Sequence, residues 1–236
     1  MVRCFVLVPG LFLGLVACGA CSEESRPGDA PGGSCAEPPA PLSGEATYYA
    51  ADGTGNCSFD PDPGRMVAAM NAVDYDTAAW CGACLRVQGP EGEVTVRVVD
   101  QCPGCAHGDL DLSREAFEQI APLAAGRVPI TWHEVACDVD GPIGYHFKDG
   151  SNPWWTAIQI RDHRYPIASL EAQTSAGTFE PIQRVSYNYF VSTDGLGKGP
   201  YTLRVTDTRG QVLEDTGIEL GDDVTRRGAA QFPRCP

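Results

Sequence analysis

The chain has 236 residues, with 17 basic against 31 acidic side chains and a net charge of −14. Its length allows one large or two ordinary domains. The charge excludes binding through nucleic-acid phosphates, which needs clustered Lys and Arg, and repels anionic polysaccharide and phospholipid surfaces, so the partner that suits it is neutral.

Residues 1–17 carry one basic residue, Arg3, and a short apolar run, Phe5–Val8 then Leu11–Val16. The run is too short to span a bilayer and reads as a secretion signal. It closes on Leu15-Val16-Ala17-Cys18, which resembles a bacterial lipobox and makes Cys18 the expected lipidation site; plain secretion with cleavage further on is the alternative. Either route delivers the chain to the extracellular space or the cell surface, where disulfides persist. Membrane contact is expected only through that N-terminal anchor. Residues 18–42 are Ser, Glu, Gly, Pro and Ala, with almost nothing apolar to offset ordering entropy, and read as a tether.

Order is expected from Gly44, with a strand over Gly44–Tyr49. Met66–Ala72 reads as one apolar turn or short helix. Strands follow at Cys84–Val87 and Val94–Asp100, joined by the turn Gly89-Pro90-Glu91-Gly92. In Asp109-Leu110-Asp111-Leu112 the alternation of an extended chain sends the leucines into a core and the aspartates outward. Asp100 and Asp111 therefore bracket a glycine-rich, cysteine-bearing loop whose carboxylates can converge on one groove. Ser113 predicts a helix N-cap, with Phe117, Ile120, Ala121 and Ala124 on one apolar face. Val128–Cys137 is a further strand, with His133 half-buried on it. Many short strands and one helix suggest a barrel over residues 43–140. From residue 141 to 236 strands are expected at Thr156–Ile160, Ala168–Gln173, Val185–Val191, Tyr201–Thr206 and Gln211–Leu220, the pattern of a β-sandwich.

Eleven cysteines stand at 4, 18, 21, 35, 57, 81, 84, 102, 105, 137 and 235. Cys81/Cys84 and Cys102/Cys105 form two Cys-x-x-Cys pairs with seventeen residues between them, which is also zinc-ribbon spacing. Export and the additional cysteines at 57 and 137 favour disulfides over zinc. The four histidines show no ligand spacing, so no metal and no cofactor is called for.

Gly44–Tyr48, Val98-Val99-Asp100, Asp109–Ser113, Lys148–Ser151, Trp154-Trp155, Ala157–Ile160 and Tyr187–Ser192 fall in an order that resembles a bacterial expansin across both halves of the chain. The resemblance implies a mainly β protein, a six-stranded double-psi β-barrel followed by an immunoglobulin-like, cellulose-binding β-sandwich. It implies a monomer that binds cellulose or another neutral β-glucan, or peptidoglycan, and loosens walls without hydrolysis. Its polar groove would use Thr47, Asp100 and Asp111, with Tyr48 beside them. Its aromatic platform would use Trp154, Trp155 and Tyr187, with Lys148 nearby. It also suggests Cys57–Cys81 and Cys84–Cys137, which leaves Cys102–Cys105 as a loop staple and Cys35 with Cys235. One departure is Cys102, where the family commonly has a tyrosine; the Cys-Pro-Gly-Cys loop is similar to that of single-domain expansin-like proteins.

Hydrolysis with inversion needs an acid and a base about 6.5–9.5 Å apart. Asp111 matches the acid of related endoglucanases, but their base position, four residues after Thr47, is Ala51. Asp52 comes one residue late, which in a strand is the opposite face. A glycan-cleaving enzyme using Asp111, and a module that only anchors to cellulose, are the alternatives. Adjacent tryptophans in a regular strand face opposite ways, so Trp154 and Trp155 share a surface only in a bend, which Asn152-Pro153 supplies.

Overall fold

The computed structural model describes residues 35–62 and 64–235; the segment expected to be a secretion signal, with Cys4, Cys18 and Cys21, lies outside them. Six strands close a barrel in the order β1-β5-β2-β4-β3-β6. They are β1 (Leu42–Tyr49), β2 (Val67–Asn71), β3 (Cys84–Gln88), β4 (Glu93–Cys102), β5 (Leu110–Ser113) and β6 (Val128–Val135). Alternation builds the interior: Ala46, Val94, Val96, Val98, Leu110, Leu112, Ile130 and Trp132 are buried in one cluster.

The run Met66–Ala72, expected as a turn or short helix, is strand over Val67–Asn71, and Ala72 opens a short helix, α1 (Ala72–Tyr75). All five residues of β2 are buried, because β2 lies between β4 and β5 and is covered on both faces. Such a strand shows a continuous apolar run rather than alternation, which periodicity cannot separate from a helix. Ser113 does cap a helix, its Oγ accepting the Ala116 amide at 3.1 Å, but α2 spans only Arg114–Phe117. The chain then turns, Leu123–Ala125 form a 3-10 turn, and Ala124 is exposed; Pro122 prevents the longer helix. His133 is exposed, and it is the neighbouring Glu134 that is buried.

The second half is an eight-stranded ladder, β13-β12-β9-β10-β11-β8-β7-β14. Its strands are β7 (Gly144–Phe147), β8 (Thr156–Arg161), β9 (Ile167–Gln173), β10 (Phe179–Arg184), β11 (Phe190–Ser192), β12 (Tyr201–Asp207), β13 (Val212–Ile218) and β14 (Val224–Arg227). Tyr145, Phe147, Ile158 and Ile160 from one end share a single core with Leu170, Leu203, Val205 and Ile218 from the other. Both ends of the ladder thus face one core. β10 joins the halves, pairing with β9 through Phe179–Ile182 and with β11 through Gln183 and Arg184. The strand expected over Val185–Val191 is corrected: residues 185–189 are a turn, with Asn188 in the left-handed region at φ 63°.

Barrel and ladder belong to one compact unit and meet across a polar seam. The Cys57 carbonyl accepts from Gln159 Nε2 at 2.8 Å and Asn188 Nδ2 at 3.1 Å. Arg209 and Glu134 form a buried ion pair at 3.0 Å. His163 is buried against Gly82, where a Cβ would lie 2.5 Å from His163 Nε2. Disulfides join Cys35–Cys235, Cys57–Cys81, Cys84–Cys137 and Cys102–Cys105. Cys81 and Cys84, which a zinc ribbon would use together, go to different partners.

Candidate functional site: a barrel groove and an aromatic face

Strand register sets the groove. Thr47 on β1 lies opposite Asp111 on β5, Asp111 opposite Ala69 on β2, and Ala69 opposite Asp100 on β4. Paired residues on neighbouring strands point to the same side, so the four form one rung across the outside of the barrel. Asp100 joins that rung through a register shift: Ala68 pairs with Val98 but Ala69 with Asp100, leaving Val99 as the extra residue of a bulge. Without the bulge, alternation from the buried Val98 would send position 100 inward. Small Ala69 between the two carboxylates leaves the floor of the groove low. Two interstrand spacings separate Asp100 from Asp111, roughly 9.5 Å between backbone positions.

The two carboxylates differ. Thr47 Oγ1 donates to Asp111 Oδ1 at 2.6 Å, and burial pushes the Asp111 carboxyl above the ordinary carboxylate range against that hydrogen bond. Asp100 Oδ1 instead accepts two backbone amides, Asn56 N at 2.7 Å and Gln101 N at 2.8 Å. The loop carrying Asn56 reaches it because residue 55 is glycine; a Cβ there would overlap the Asp100 side chain. Asp111 is thus poised to hold or pass a proton, and Asp100 to accept hydrogen bonds.

Ala51 is buried with Val67 and Val99. Asp52 is fully exposed, and its Oδ1 takes the Thr54 amide at 2.9 Å and the Thr54 hydroxyl at 2.5 Å, which hold its carboxyl below the usual range. It is tied into a turn. Tyr48 lies on the opposite side of β1 from Thr47, packed on Phe117 with ring centroids 5.0 Å apart and Arg114 over its ring. Tyr49 is the tyrosine on Thr47's side. Its hydroxyl is buried with no hydrogen-bond partner among the described residues, and burial with Asp100, Asp111 and Asp52 nearby raises its pKa. Strict alternation from Thr47 puts Tyr49, not Tyr48, on the groove side of β1.

Asp109 lies outside the rung, accepting the Glu45 and Ala106 amides and so fixing the loop. That loop carries the Cys102–Cys105 staple, and His107 Nδ1 lies 3.0 Å from Asp74.

Trp154 and Trp155 sit in the turn between β7 and β8. Asn152 Oδ1 accepts both their amides, at 2.9 and 3.1 Å, and a bridge between Asn152 and Trp155 closes the turn. Trp154 is 76 % exposed and Trp155 partly so, and neither belongs to the sandwich core. Tyr187 is partly exposed at the 185–189 turn, its ring 5.9 Å from that of buried Tyr189, and Lys148 Nζ lies 5.9 Å over the Tyr189 ring. The Ser186 carbonyl ties this turn to the groove. The Ser186 carbonyl accepts Asn56 Nδ2 at 2.9 Å and the Tyr75 hydroxyl at 2.8 Å, while the Asn56 amide holds Asp100.

A closed six-stranded barrel with an outward acid groove, joined to an eight-stranded ladder that carries the exposed Trp154, defines a two-part, mainly β class of protein. A family profile described as lytic transglycolase, a double-psi β-barrel, matches residues 42–132. The chain is 38 % identical over 201 residues to Expansin-YoaJ of Bacillus subtilis, covering 80 % of this chain and 86 % of that protein. It is 28 % identical over 203 residues to Expansin-B3 of Arabidopsis thaliana, covering 73 % and 77 %. The apo expansin of Clavibacter michiganensis superposes with a TM-score of 0.76 at 33 % identity, over 82 % of this chain and 99 % of the other. A mutant of that expansin in complex with cellohexaose gives 0.77 over the same shares. The chain belongs to the expansin family.

Proposed function

We propose that the protein binds cellulose or a related neutral β-glucan at the cell surface or outside the cell, and loosens the polysaccharide network without hydrolysing it. The observation that carries this reading is the junction at Ser186, which ties the turn bearing Tyr187 to the loop that holds Asp100 in the groove. Pyranose rings present flat apolar faces, and each aromatic ring they cover contributes about 1.5–3 kcal/mol before ordering costs. Trp154, Trp155 and Tyr187 thus grip a neutral chain without charge, in keeping with an acidic protein. A chain held there has its continuation at high effective concentration over Thr47, Asp111 and Asp100. Those groups compete for hydroxyls that otherwise bond neighbouring chains. The Clavibacter expansin solved with cellohexaose supports a β-glucan as the ligand class.

A second reading is glycan cleavage, favoured by the raised pKa of Asp111 and the presence of a second carboxylate on the same rung. Against it, the position matching the endoglucanase base is buried Ala51. Incubation with amorphous cellulose and, separately, with peptidoglycan tests the choice. The expected result is binding to cellulose with no reducing ends and no soluble fragments from either polymer. Fragments from either one would replace the loosening reading with the enzymatic one.

A further inference from the structure

A cavity of about 570 Å³ opens on the sandwich away from the groove, walled by Gln173–Ser175, Glu180–Gln183, Val191–Leu196 and Tyr201. That volume lies within the roughly 300–1,000 Å³ of small-ligand sites. We infer that it is a second glycan site, one that receives a neutral glycosyl branch rather than a flat chain. The inference rests on the polysaccharide-binding reading but concerns a separate surface.

Three observations point there. First, the ladder parts at this place. β11 follows β10 for only two rungs, Gln183 with Val191 and Arg184 with Phe190, while Phe179–Ile182 pair only with β9. The wedge between the diverging strands has a strand edge in its wall, with backbone groups free to bond hydroxyls. That free stretch is four residues long and contains Pro181, which lacks an amide hydrogen, so it is a poor template for an added peptide strand. Second, Ser175, Glu180, Gln183, Thr193 and Asp194 line or rim the cavity, and none of their side chains hydrogen-bonds another described residue at the site. Amide, hydroxyl and carboxylate groups over an apolar floor of Ile182, Leu196 and Tyr201 match a sugar's edge and face. The lining holds two carboxylates and no Lys or Arg, which selects against uronic acids and other anionic sugars.

Third, the cavity shares a wall with the tryptophan turn. Gly195 packs so closely on the Pro153–Trp154 backbone that a Cβ would overlap it. Gly197 N donates to the Pro153 carbonyl at 3.0 Å, and Leu196 N to Thr156 Oγ1 at 3.3 Å. The 192–196 segment therefore separates cavity and platform by the thickness of one chain. Unbranched cellulose has nothing to place in such a recess; a branched neutral glucan does.

The test uses two soluble probes, linear cellotetraose and the same tetraose carrying neutral pentosyl branches, titrated against the full protein by calorimetry and by amide shifts. Branched probe alone is expected to shift the amides of Gln183, Thr193 and Asp194. The double variant Gln183→Ala/Thr193→Ala removes two side-chain partners, and should weaken the branched probe about tenfold while leaving insoluble-cellulose binding unchanged. Equal affinity for the two probes with no shifts at the cavity would overturn the inference, as would a double variant that binds the branched probe like wild type. Loss of cellulose binding by the wild-type protein would instead count against the function proposed above, so the two failures are distinguishable.

Discussion

Asp111 differs from a surface aspartate in two ways: it is half-buried, and among the described residues its side chain accepts a hydrogen bond from Thr47 alone. Burial raises its folded pKa, so the folded state favours the protonated form. Stability from this group is fully present below the ordinary carboxylate pKa and is lost as pH rises through the raised value. Asp111→Asn keeps an oxygen for Thr47 and is neutral throughout. Its melting temperature is predicted to exceed wild type at pH 7 and to converge with it near pH 3; a lower value at pH 7 would contradict the burial argument. The tryptophans lie at the other extreme. With Trp154 76 % exposed, Trp154→Ala/Trp155→Ala should abolish cellulose pull-down, with a stability loss below about 1 kcal/mol by thermal melting. Tyr49 sits among three carboxylates with an unpartnered hydroxyl. Tyr49→Phe removes a buried hydroxyl without a partner among the described residues, and should leave the melting temperature unchanged or raise it.

At the scale of elements, the seam decides how stability responds to acid and to small substitutions. His163 is fully buried, and burial, with Arg97 nearby, pushes its pKa down to about 3. The unfolded chain takes up a proton near pH 6.5, so stability held above that value is lost as pH falls from 6.5 through about 3. Gly82→Ala drives a methyl into this ring at a backbone φ of 79°, and should destabilise by about 1–3 kcal/mol in denaturant titration. The disulfides grade by the loop they close. Cys35–Cys235 spans 200 residues and Cys102–Cys105 spans 3, so loop entropy assigns them about 5 and under 2 kcal/mol respectively. Replacing each pair with serines and comparing melting temperatures checks the order.

The same elements show why sequence reading went as far as it did. Leu110 and Leu112 entered the core and Asp111 the surface as alternation requires. Asp100 reached the rung by a bulge, which no pattern of residue types announces. β2 was misread because a strand covered on both faces does not alternate, and residues 185–189 because a run of β-formers conceals the left-handed Asn188. The seam was invisible: Gln159 and Asn188 look like ordinary polar strand residues until the Cys57 carbonyl is found between them.

At the scale of the whole molecule, the proposed function requires two weak surfaces to act as one device. In that proposal the groove offers hydrogen bonds and the platform apolar area, and the Ser186 carbonyl ties the Tyr187 turn to the loop that holds Asp100. Neither surface alone would displace a chain from a crystal, since each competes against many repeated contacts. The most direct test is the mechanical weakening of cellulose paper per molecule bound, with reducing ends assayed in the same sample, for wild type and Asp111→Asn. The account predicts equal binding, weakening by wild type without reducing ends, and no weakening by the variant. Reducing ends that rise with the weakening, or full weakening by Asp111→Asn, would contradict it.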